Sequence, residues 1–477
     1  MYKEVTFIKS IFQEARGYKG GEIMKRDYDT VIIGTGTAGR TLAGKVARSG
    51  LKIAIVDSRE YGGTCPLRGC DPKEVLTDIA HITDWNNRLI GKGVETKAPL
   101  KIDWPSLIKF KKTFTEGFSR KTEKYLADMR IDTYHRRAHF EDRNTVVVGE
   151  DKLRGKYIFL ATGAKPRKLN IPGEEYMTTS EELMETKKLP EKIIFVGGGY
   201  ISLEFAHVIR RTGAEVTILH RSERLLRSFD ADMVDMLIKS SEAAGIRILT
   251  DKPAISVEKD DNGFLVRTGS KSGTRSETQS FHADMVVHGV GRVPDIEDLH
   301  LEKAGVKTEK GAIAVDKYMR TSNSRIYAGG DCVLESMQLT PVATLQGEVA
   351  AANILNENSI EANYTGIPSA IFTIPVLASV GISAAKNSDK YKVIFRDRSS
   401  WNTSRRAGME FAASKVIIDE ANDRIMGAHI LGPNAGEAIN IFATVMRLGL
   451  KASDIKKLVF SYPTEALKLA PKIGILI

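Results

Sequence analysis

Two cysteines stand close together near the start of the chain, and their spacing suits redox chemistry. Cys65 and Cys70 have four residues between them in the segment Gly62–Glu74, GGTCPLRGCDPKE. A pair at this spacing that leads into a helix can close a small disulfide ring and exchange with an external disulfide. A metal site is one alternative, although it lacks a second Cys/His pair at ligand spacing, and two inert buried thiols are the other. We interpret the pair as redox-active.

The composition is that of a globular protein of a reducing compartment. Of 477 residues, 42% are hydrophobic and 27% are charged, which excludes a disordered or collagenous chain. The chain has three cysteines, so disulfides cannot hold the fold together, and we interpret the third, Cys332, as a small packing residue. We find no apolar run of ~18 residues and no secretory signal. The sequence therefore predicts a cytoplasmic protein with no membrane partner.

The positive net charge favours anionic small ligands over a nucleic acid. Lys and Arg number 70 against 60 Asp and Glu, which gives +10. The basic residues are spread along the chain, whereas a nucleic-acid-binding protein would place a basic stripe on one element. Local positive sites for dinucleotides explain the balance more simply.

A glycine-rich turn at residues 34–39 predicts a first dinucleotide site. The segment reads GTGTAG and lies between a predicted strand, Asp29–Gly34, and a predicted helix, Thr37–Ser49. Gly34 permits the tight turn, Gly36 lets a pyrophosphate approach the backbone, and Gly39 lets helix and strand pack closely. Asp57 ends the next predicted strand, Leu51–Asp57, where its carboxylate can accept a hydrogen bond from a ribose hydroxyl. A purely structural glycine turn is the alternative.

A second turn, Gly197–Ser202, repeats this pattern without the acidic residue. It reads GGGYIS, follows a predicted strand at Lys192–Val196 and opens a predicted helix at Tyr200–Thr212. The strand that follows ends in Leu-His-Arg, and three arginines lie within seven residues: Arg221, Arg224 and Arg227. A carboxylate would repel a 2′-phosphate, whereas arginines bind one, so we expect NADPH to be preferred and NADH to be possible. An ordinary solvated loop is the alternative reading of the arginines.

The repeat of one strand–turn–helix–strand unit sets the predicted fold class. The two units lie 163 residues apart, counted from Gly34 to Gly197. We predict an α/β protein with two Rossmann-like dinucleotide-binding domains and, after about residue 365, a C-terminal α+β domain. Residues 1–26 fit neither pattern, and the codons of Lys19–Glu22 would suit a ribosome-binding site. We therefore expect translation to begin at Met24, which the intact mass of the native protein would test.

From about residue 27 to about residue 470 the chain resembles the FAD-dependent pyridine nucleotide–disulfide oxidoreductases, the group of glutathione reductase, lipoamide dehydrogenase and mercuric reductase. The resemblance rests on the two glycine turns, the cysteine pair and an ordered series of shorter motifs. These are Ala161–Gly163, Gly291–Asp295, Ala328–Asp331, Leu339–Ala343, Phe372–Gly381 and Gly427–Gly436.

The resemblance implies roles for the reactive residues. Cys65 would be the interchange thiol that attacks the acceptor, and Cys70 the charge-transfer thiol against the flavin. Glu204 would lie near flavin N5, and Tyr200 would gate the nicotinamide pocket. Lys73 would form the family's ion pair beside the flavin, unless Glu74 takes that position and meets Glu204, which would raise the pKa of one carboxylate.

The resemblance also implies the cofactor sites, the partner and the domain limits. The family forms homodimers whose active sites are completed by the C-terminal domain of the partner subunit. The expected domains are an N-terminal extension (1–26), an FAD domain (27–167), an NAD(P) domain (168–296), a central segment that completes the FAD domain (297–364) and a dimerisation domain (365–477). The residues expected to bind FAD are Gly34, Gly36, Thr37, Ala38, Gly39, Asp57, Gly63, Thr64, Ala138, Thr162, Gly163, Arg292, Asp331, Thr340 and Ala343. Those expected to bind NAD(P)H are Gly197, Gly199, Tyr200, Ile201, Arg221, Arg227 and Gly291.

The C-terminal segment departs from the family pattern. The dithiol reductases carry His-Pro-Thr-x-x-Glu there, in which the His moves protons for the interchange thiol, whereas this chain has Tyr462 and Leu467 at those places. A phenol, with an ordinary pKa of about 10, is a poor general base near pH 7, and Glu465 stands in a different register. The segment is closer to mercuric reductases, but the C-terminal cysteine pair and the N-terminal metal-binding module of those enzymes are missing from this sequence.

We therefore predict a flavoenzyme that passes electrons from NADPH through FAD to a Cys65–Cys70 disulfide and on to an external disulfide-type acceptor. A metal or electrophile reductase of mercuric type and a lipoamide dehydrogenase-like enzyme are the alternatives, and a non-catalytic flavoprotein is the reading from another class. No resident metal and no nucleic-acid partner are expected.

Overall fold

A mainly parallel sheet forms the first unit of the fold. The structure is a computed structural model that describes residues 25–269, 278–383 and 390–469, so the expected start at Met24 lies outside the described residues. The elements up to residue 166 are strands β1 (Lys25–Ile33), β2 (Ile53–Asp57), β3 (Asp132–His135), β4 (Ala138–Phe140), β5 (Thr145–Val148), β6 (Asp151–Leu160) and β7 (Ala164–Pro166), and helices α1 (Thr37–Ala47), α2 (Thr64–Arg68), α3 (Cys70–Arg88), α4 (Trp104–Thr115) and α5 (Phe118–Asp128).

Strand β1 lies at the centre of this sheet. The strand order is β3-β2-β1-β6-β5-β4. Strands β3, β2, β1 and β6 pair in parallel, whereas β5 pairs antiparallel with β6 and β4 antiparallel with β5. The apolar run of β1 is covered on both faces, which is what a parallel strand under helices requires. The strand begins at Lys25, within the expected N-terminal extension, because Lys25 and Arg26 pair with Lys152 and Leu153.

A second parallel sheet repeats the construction. Its strands are β8 (Lys192–Val196), β9 (Glu215–Leu219), β10 (Ile246–Leu249) and β14 (Met285–His288), in the order β10-β9-β8-β14. The helices are α6 (Ser180–Leu183), α7 (Tyr200–Arg210) and α8 (Ala231–Ala243), and the smaller strands are β11 (Ala254–Asp260), β12 (Gly263–Thr268), β13 (Gln279–Ala283), β15 (Arg292–Pro294), β16 (Thr308–Glu309) and β17 (Ala312–Ile313). In both units paired residues lie 23 positions apart, as in Thr30 with Ile53 and Lys192 with Glu215. The duplication in the sequence is therefore also a duplication of register.

The chain then returns to the first sheet. Strand β18 (Ile326–Ala328) pairs in parallel with β6, and helix α9 (Thr340–Leu355) packs against α1. The two helices approach closely at Gly347, where a Cβ would lie 2.6 Å from the carbonyl oxygen of Ala38. This return brings α9 beside the first glycine turn.

The last unit is an antiparallel sheet with helices on it. The strands are β19 (Pro368–Ile371), β20 (Val376–Gly381), β21 (Tyr391–Asp397), β22 (Ala413–Asp419) and β23 (Arg424–Gly432), in the order β19-β20-β23-β22-β21. The helices are α10 (Asn402–Arg406), α11 (Ala435–Arg447), α12 (Ala452–Ile455) and α13 (Glu465–Leu469). Lys415 of β22 joins this unit to the second one, because its buried ammonium lies 2.8 Å from Asp230 and 2.9 Å from Asp232 at the start of α8.

Helix length bears on membrane association. Helix α3 has 19 residues, but charged side chains occur throughout it. Within the described ranges, no helix is both long and apolar enough to cross a bilayer.

Candidate active site

A cavity of about 860 Å³ lies where the three units meet. Its wall includes the first glycine turn, both cysteines of the pair, the N-terminal turn of α7 and the start of α9. His429 of β23 lies on the same wall. Parallel strands of an α/β sheet place ligands at their carboxyl ends, and the turn after β1 stands at such an end.

The glycines of the first turn differ in the space around them: two pack against backbone atoms, and one faces open space. A Cβ at Gly34, where φ is +111°, would lie 2.1 Å from the carbonyl oxygen of Ala161, and one at Gly39 would lie 2.0 Å from that of Gly34. A Cβ at Gly36, in contrast, would meet no atom within 4 Å. Gly36 is also the N-cap of α1, and no side chain of the described residues caps that helix. Its free amide groups make this turn suitable for an anionic group such as a pyrophosphate.

Asp57 is fixed at the end of β2 by the same turn. Its Oδ2 accepts hydrogen bonds from the backbone N–H of Thr35 at 2.8 Å and from the Thr35 hydroxyl at 2.6 Å, and its Oδ1 accepts from the Arg59 N–H at 3.0 Å. The carboxylate therefore stands beside the turn, on the wall of the cavity.

The structure gathers nearly all of the residues expected to bind FAD around this one cavity. Thr162 lies on this wall, and the pKa of Asp331 is raised by burial in spite of the nearby charge of Arg292. Gly39 is the exception, because it packs beneath Gly34 rather than on the wall. The residues on the wall are Gly34, Gly36, Thr37, Ala38, Asp57, Gly63, Thr64, Ala138, Thr162, Gly163, Arg292, Asp331, Thr340 and Ala343.

The two cysteine sulfurs meet at one hydroxyl. Cys65 lies in α2 and Cys70 begins α3, and both are free thiols in this structure. The Thr340 hydroxyl, at the start of α9, lies 3.1 Å from Cys65 Sγ and 3.6 Å from Cys70 Sγ. The Cys65 thiol also donates a hydrogen bond of 3.4 Å to the Asp71 carboxylate.

The surroundings separate the acidities of the two thiols. The hydrogen bond from Cys65, the Thr340 hydroxyl and the charge of Lys73 outweigh burial and lower the pKa of Cys70 to about 6. The hydrogen bond with Cys70, burial and the negative charge of Asp71 raise the pKa of Cys65 far above its ordinary value. At neutral pH the reduced pair therefore carries a thiol at Cys65 and a thiolate at Cys70.

Lys73, one turn after Cys70, faces the interior of the cavity. Its Nζ lies 2.5 Å from Glu204 Oε2, and Glu204 Oε1 accepts a hydrogen bond of 2.9 Å from the N–H of Phe372. Burial alone would lower the pKa of Lys73, but the charge and hydrogen bond of Glu204 raise it above the ordinary value. The same ammonium lies 5.3 Å from the centre of the Tyr200 ring. Glu74 is on the exposed side of α3, so Lys73 and not Glu74 meets Glu204.

The second glycine turn has the backbone of the first but a different polar partner. A Cβ at Gly197, where φ is +105°, would lie 2.2 Å from the carbonyl oxygen of Gly289. The N–H of Gly198 donates a hydrogen bond of 3.0 Å to His220 Nδ1, and His220 Nε2 lies 3.0 Å from the carbonyl oxygen of Arg224. Burial lowers the pKa of His220 and its positive neighbours Arg221 and Arg227 lower it further, against the opposing hydrogen bond to Arg224. His220 is therefore neutral at pH 7, with its proton on Nε2.

The residues expected to bind NAD(P)H divide between the cavity wall and the surface beside it. Tyr200 and Ile201 line the cavity, and Arg221 and Arg227 are exposed beyond the end of β9. Gly197, Gly199 and Gly291 belong to backbone turns behind the wall, and φ of Gly291 is +98°.

Tyr462 and Glu465 of the C-terminal segment lie in different surroundings. Tyr462 is 77% exposed, with the ammonium of Lys468 at 5.8 Å from the centre of its ring. Glu465, which stands in a different register from the family's histidine, is buried and forms an ion pair with the buried Arg398. The carboxylate stays paired with Arg398 inside the last unit, because a buried guanidinium without a partner would lower the stability of the fold.

Cys332 is enclosed in the first core. Its side chain is 0% exposed, burial raises its pKa to about 11, and its thiol contacts the carbonyl oxygens of Gly329 and Leu160. These are the properties of a packing residue.

Several polar residues of the site were not singled out from the sequence. His220 could have been found from the duplication, because it stands 23 positions after Gly197 as Asp57 stands 23 after Gly34. Asp71 follows Cys70 directly, yet its contact with Cys65 depends on the turn between α2 and α3. Arg68 lies between the cysteines and pairs with Glu60 at 2.9 Å. Within the described ranges no three His, Cys, Asp or Glu side chains converge on a metal site.

Comparison with known proteins agrees with this geometry. Residues 28–347 match the family model described as pyridine nucleotide-disulphide oxidoreductase, and residues 367–471 match the dimerisation domain of the same family. Among solved structures, the Cu(II) complex of the HOCl-induced flavoprotein disulfide reductase RclA from Escherichia coli is similar with a TM-score of 0.83 and 26% identity, over 95% of this chain and 100% of that one.

Three groups of curated relatives are equally similar in sequence. A glutathione reductase of Nostoc sp. is 31% identical over 93% of this chain and 98% of its own length, and a trypanothione reductase of Trypanosoma congolense is 31% identical over 94% and 95%. A mercuric reductase of Bacillus cereus is 31% identical over 93% of this chain and 71% of its own length. Equal identities do not choose among their substrates, but the matches to both family models do establish the family. The chain belongs to the pyridine nucleotide–disulphide oxidoreductases.

Proposed function

We propose that this enzyme uses NADPH to reduce a small external disulfide through FAD and the Cys65–Cys70 pair. One observation carries the proposal: both sulfurs contact the Thr340 hydroxyl, at 3.1 and 3.6 Å, on the wall of the cavity that the first glycine turn also lines. A dithiol so placed can receive electrons from a cofactor bound in the cavity. It can then pass them to an external acceptor that approaches from the opposite side of the dithiol.

The residues of the first turn fit FAD. The open space at Gly36, the uncapped start of α1 and the partly buried carboxylate of Asp331 lie on one continuous wall. Asp57 and Asp331 would accept hydrogen bonds from hydroxyl groups of the cofactor. When bound, FAD supplies the two-electron chemistry that connects a hydride donor with a disulfide.

The Lys73–Glu204 ion pair would hold the Lys73 ammonium in a fixed position at the inner end of the cavity. It is buried, and its ammonium also faces the Tyr200 ring. A fixed positive charge there stabilises the Cys70 thiolate and attracts electron density toward that end of the cavity. Tyr200, at the start of α7, would gate the approach of the nicotinamide.

His220 supports the preference for NADPH, and its replacement provides a direct test. The neutral imidazole holds the turn as Asp57 does in the first unit, but it adds no negative charge beside Arg221 and Arg227. We expect His220→Asp to lower the ratio of kcat/KM for NADPH to that for NADH by about tenfold or more, because a carboxylate repels the 2′-phosphate. Steady-state assays with both nucleotides measure the ratio. His220→Asn, which keeps an acceptor and no charge, should retain the preference, and an unchanged ratio in His220→Asp contradicts the assignment.

The low pKa of Cys70 predicts how the reduced enzyme responds to pH. A thiol with a pKa lowered to about 6 is a thiolate above that pH and becomes protonated as the pH falls through it. We expect the long-wavelength absorbance that a thiolate produces beside oxidised flavin to disappear with a midpoint near pH 6. Spectra of the two-electron-reduced enzyme measure it, and Cys70→Ser should show no such band at any pH. A midpoint at the ordinary thiol value of about 8.5 rules out this role for Lys73 and Thr340.

The dimerisation-domain match supports a homodimer, and the surface agrees with it. Val459 is 98% exposed and Leu458 is 50% exposed, close in sequence to Tyr462. A second subunit would cover these apolar side chains. We propose that the partner's C-terminal domain completes the acceptor pocket, with Tyr462 at its edge.

An acceptor screen tests the proposed reaction. Oxidation of NADPH and NADH is followed with the disulfides of glutathione, coenzyme A and lipoamide, with a thioredoxin-type disulfide and with Hg(II). We expect turnover with at least one low-molecular-weight disulfide. A reductase of mercuric type is the second candidate, favoured by Tyr462 in place of the family's histidine. Turnover with Hg(II) and with no disulfide would replace the first proposal with the second.

We propose a cytoplasmic location, since an enzyme whose dithiol must be kept reduced by a nicotinamide nucleotide suits a reducing compartment. We also propose domain limits close to residues 167, 296 and 364. They fall in connections between the sheets described above and separate the FAD, NAD(P), central and dimerisation parts.

A further inference from the structure

The interchange thiol needs a proton acceptor that the family's histidine does not supply in this chain. Tyr462 stands at the histidine position, and Glu465 is bound to Arg398 inside the last unit. Thiol–disulfide exchange nevertheless requires that Cys65 lose a proton as it attacks, and an alkyl thiolate that leaves must gain one. Some other group beside Cys65 Sγ has to take part.

Asp71 is the acidic group that contacts the sulfur. Its Oδ1 accepts the Cys65 thiol hydrogen bond at 3.4 Å, while the Thr340 hydroxyl approaches the same sulfur from α9 at 3.1 Å. Asp71 is the second residue of α3 and is exposed to solvent. Threonine cannot act as a base at neutral pH, and the Cys70 thiolate must stay unprotonated for the later attack on Cys65 Sγ. The carboxylate is therefore the group that can take the proton and return it.

The charges around the pair define where the single proton resides. The Cys65 thiol has two acceptors, the Cys70 sulfur and the Asp71 carboxylate, and the charge of Asp71 favours the protonated form of Cys65. Lys73 stabilises the negative charge on Cys70. Arg40 of α1 lies within electrostatic reach of Cys65 and Asp71: burial lowers its pKa, and their charges act in the opposite sense. Positive charge thus lies near both acceptors of the Cys65 thiol, Arg40 near Asp71 and Lys73 near Cys70.

We infer that Asp71 is the catalytic acid–base group of Cys65 in exchange with an external disulfide. The Cys65 thiol gives its proton to Asp71 as its sulfur attacks the disulfide, which forms a mixed disulfide and releases one thiolate. Asp71 returns the proton to that thiolate. Cys70 then attacks Cys65 Sγ as a thiolate, the Cys65–Cys70 disulfide forms, and the second leaving thiolate takes a proton from water. Two electrons and two protons reach the acceptor.

This inference rests on the proposed reduction of an external disulfide, and the test uses two disulfides that differ in their leaving groups. Hydroxyethyl disulfide releases an alkyl thiolate that needs a proton, whereas dithio-bis-nitrobenzoate releases an aryl thiolate that does not. We expect Asp71→Asn to lower turnover of the holoenzyme with hydroxyethyl disulfide by about 100-fold, the ordinary scale of acid–base catalysis. Turnover with dithio-bis-nitrobenzoate should remain within about threefold of wild type.

Asp78→Asn is the matched control, because Asp78 is an exposed aspartate further along the same helix and makes no contact with Cys65 in the described structure. It should behave as wild type with both disulfides. An equal loss of both activities in Asp71→Asn would overturn the inference in favour of a structural role, and no loss with hydroxyethyl disulfide would overturn it outright. The same loss with hydroxyethyl disulfide in Asp78→Asn would also overturn the inference, because the effect would then come from surface charge and not from the contact with Cys65.

A second readout does not depend on turnover. In the NADPH-reduced enzyme, iodoacetamide should modify Cys65 faster in Asp71→Asn than in wild type at neutral pH, because removal of the negative charge lowers the pKa of Cys65. Faster alkylation together with slower reduction of the alkyl disulfide is the expected pair of results. If wild type reduces neither disulfide, the proposed function fails, whereas unchanged alkylation in Asp71→Asn contradicts the inference about Asp71 alone.

Discussion

Replacement of Cys65 by Ser should lower turnover with every disulfide acceptor by about 1,000-fold or more, while NADPH still reduces the enzyme. A serine hydroxyl in place of the thiol is far too weakly acidic to act as the nucleophile at neutral pH. Cys70, Lys73 and Thr340 stay in place, so the inner side of the cavity is unchanged. Steady-state oxidation of NADPH measures the first effect, and anaerobic titration with NADPH measures the second.

Cys332→Ser is the control for this substitution. The same chemical change is made in a thiol that is buried in the core and that contacts the backbone carbonyl oxygens of Leu160 and Gly329. It should keep turnover within about twofold, since a packing residue takes no part in thiolate exchange. Retention of more than about a tenth of the activity in Cys65→Ser contradicts the proposed exchange chemistry.

Replacement of Lys73 by Met should destabilise the protein by about 3–5 kcal/mol, the usual cost of removing one partner from a buried ion pair. Glu204 is 1% exposed, and after the change its carboxylate would keep only the hydrogen bond from Phe372. Equilibrium unfolding in urea, followed by far-UV circular dichroism, measures the change in free energy. The reduction of the enzyme by NADPH should slow as well, because the fixed charge beside Cys70 is lost.

The double variant Lys73→Met/Glu204→Leu separates the two effects. An apolar pair of similar volume should recover most of the stability, because no unpaired charge remains buried, but it should not recover the rate of reduction. Full recovery of the rate would contradict a role for the charge itself.

The pH dependence of this ion pair has a definite sign. The pKa of Lys73 in the folded protein lies above its ordinary value of 10.5, so its contribution to stability is complete below that pH and declines as the pH rises through the folded value. The contribution of Lys73 to the stability of the wild-type protein should therefore be the same at pH 6 and pH 8, which are both below this range.

The local signals in the sequence predicted elements well. The predicted strand at Lys192–Val196 has those limits in the structure, and the predicted helix Thr37–Ser49 is observed as Thr37–Ala47. Both turns need glycine because backbone atoms of another segment occupy the space of a Cβ, at Gly34 and at Gly197. The spacing of the glycines marks each turn in the sequence, although the segments that would meet a Cβ, at Ala161 and Gly289, lie far away in the chain.

The polar partners of the site were less visible from the sequence. Asp71 contacts Cys65 across the break at Gly69 between α2 and α3. His220 occupies, in the second unit, the place that Asp57 has in the first. The ion pair of Glu465 was equally hidden, because Arg398, which binds it, lies 67 residues earlier in the chain. Nothing in the local pattern around Glu465 indicates that neighbour.

The sequence by itself determined the two dinucleotide units, the redox-active pattern of Cys65 and Cys70, and the family, because turns, strand lengths and cysteine spacing are local properties of the chain. Only the tertiary structure decided which group faces each sulfur. Thr340 lies 275 residues from Cys65, and Phe372 lies 168 residues from Glu204. Contacts across such separations depend on how the sheets pack together, and the acidity of a thiol depends on the charges and burial that this packing brings within a few ångströms.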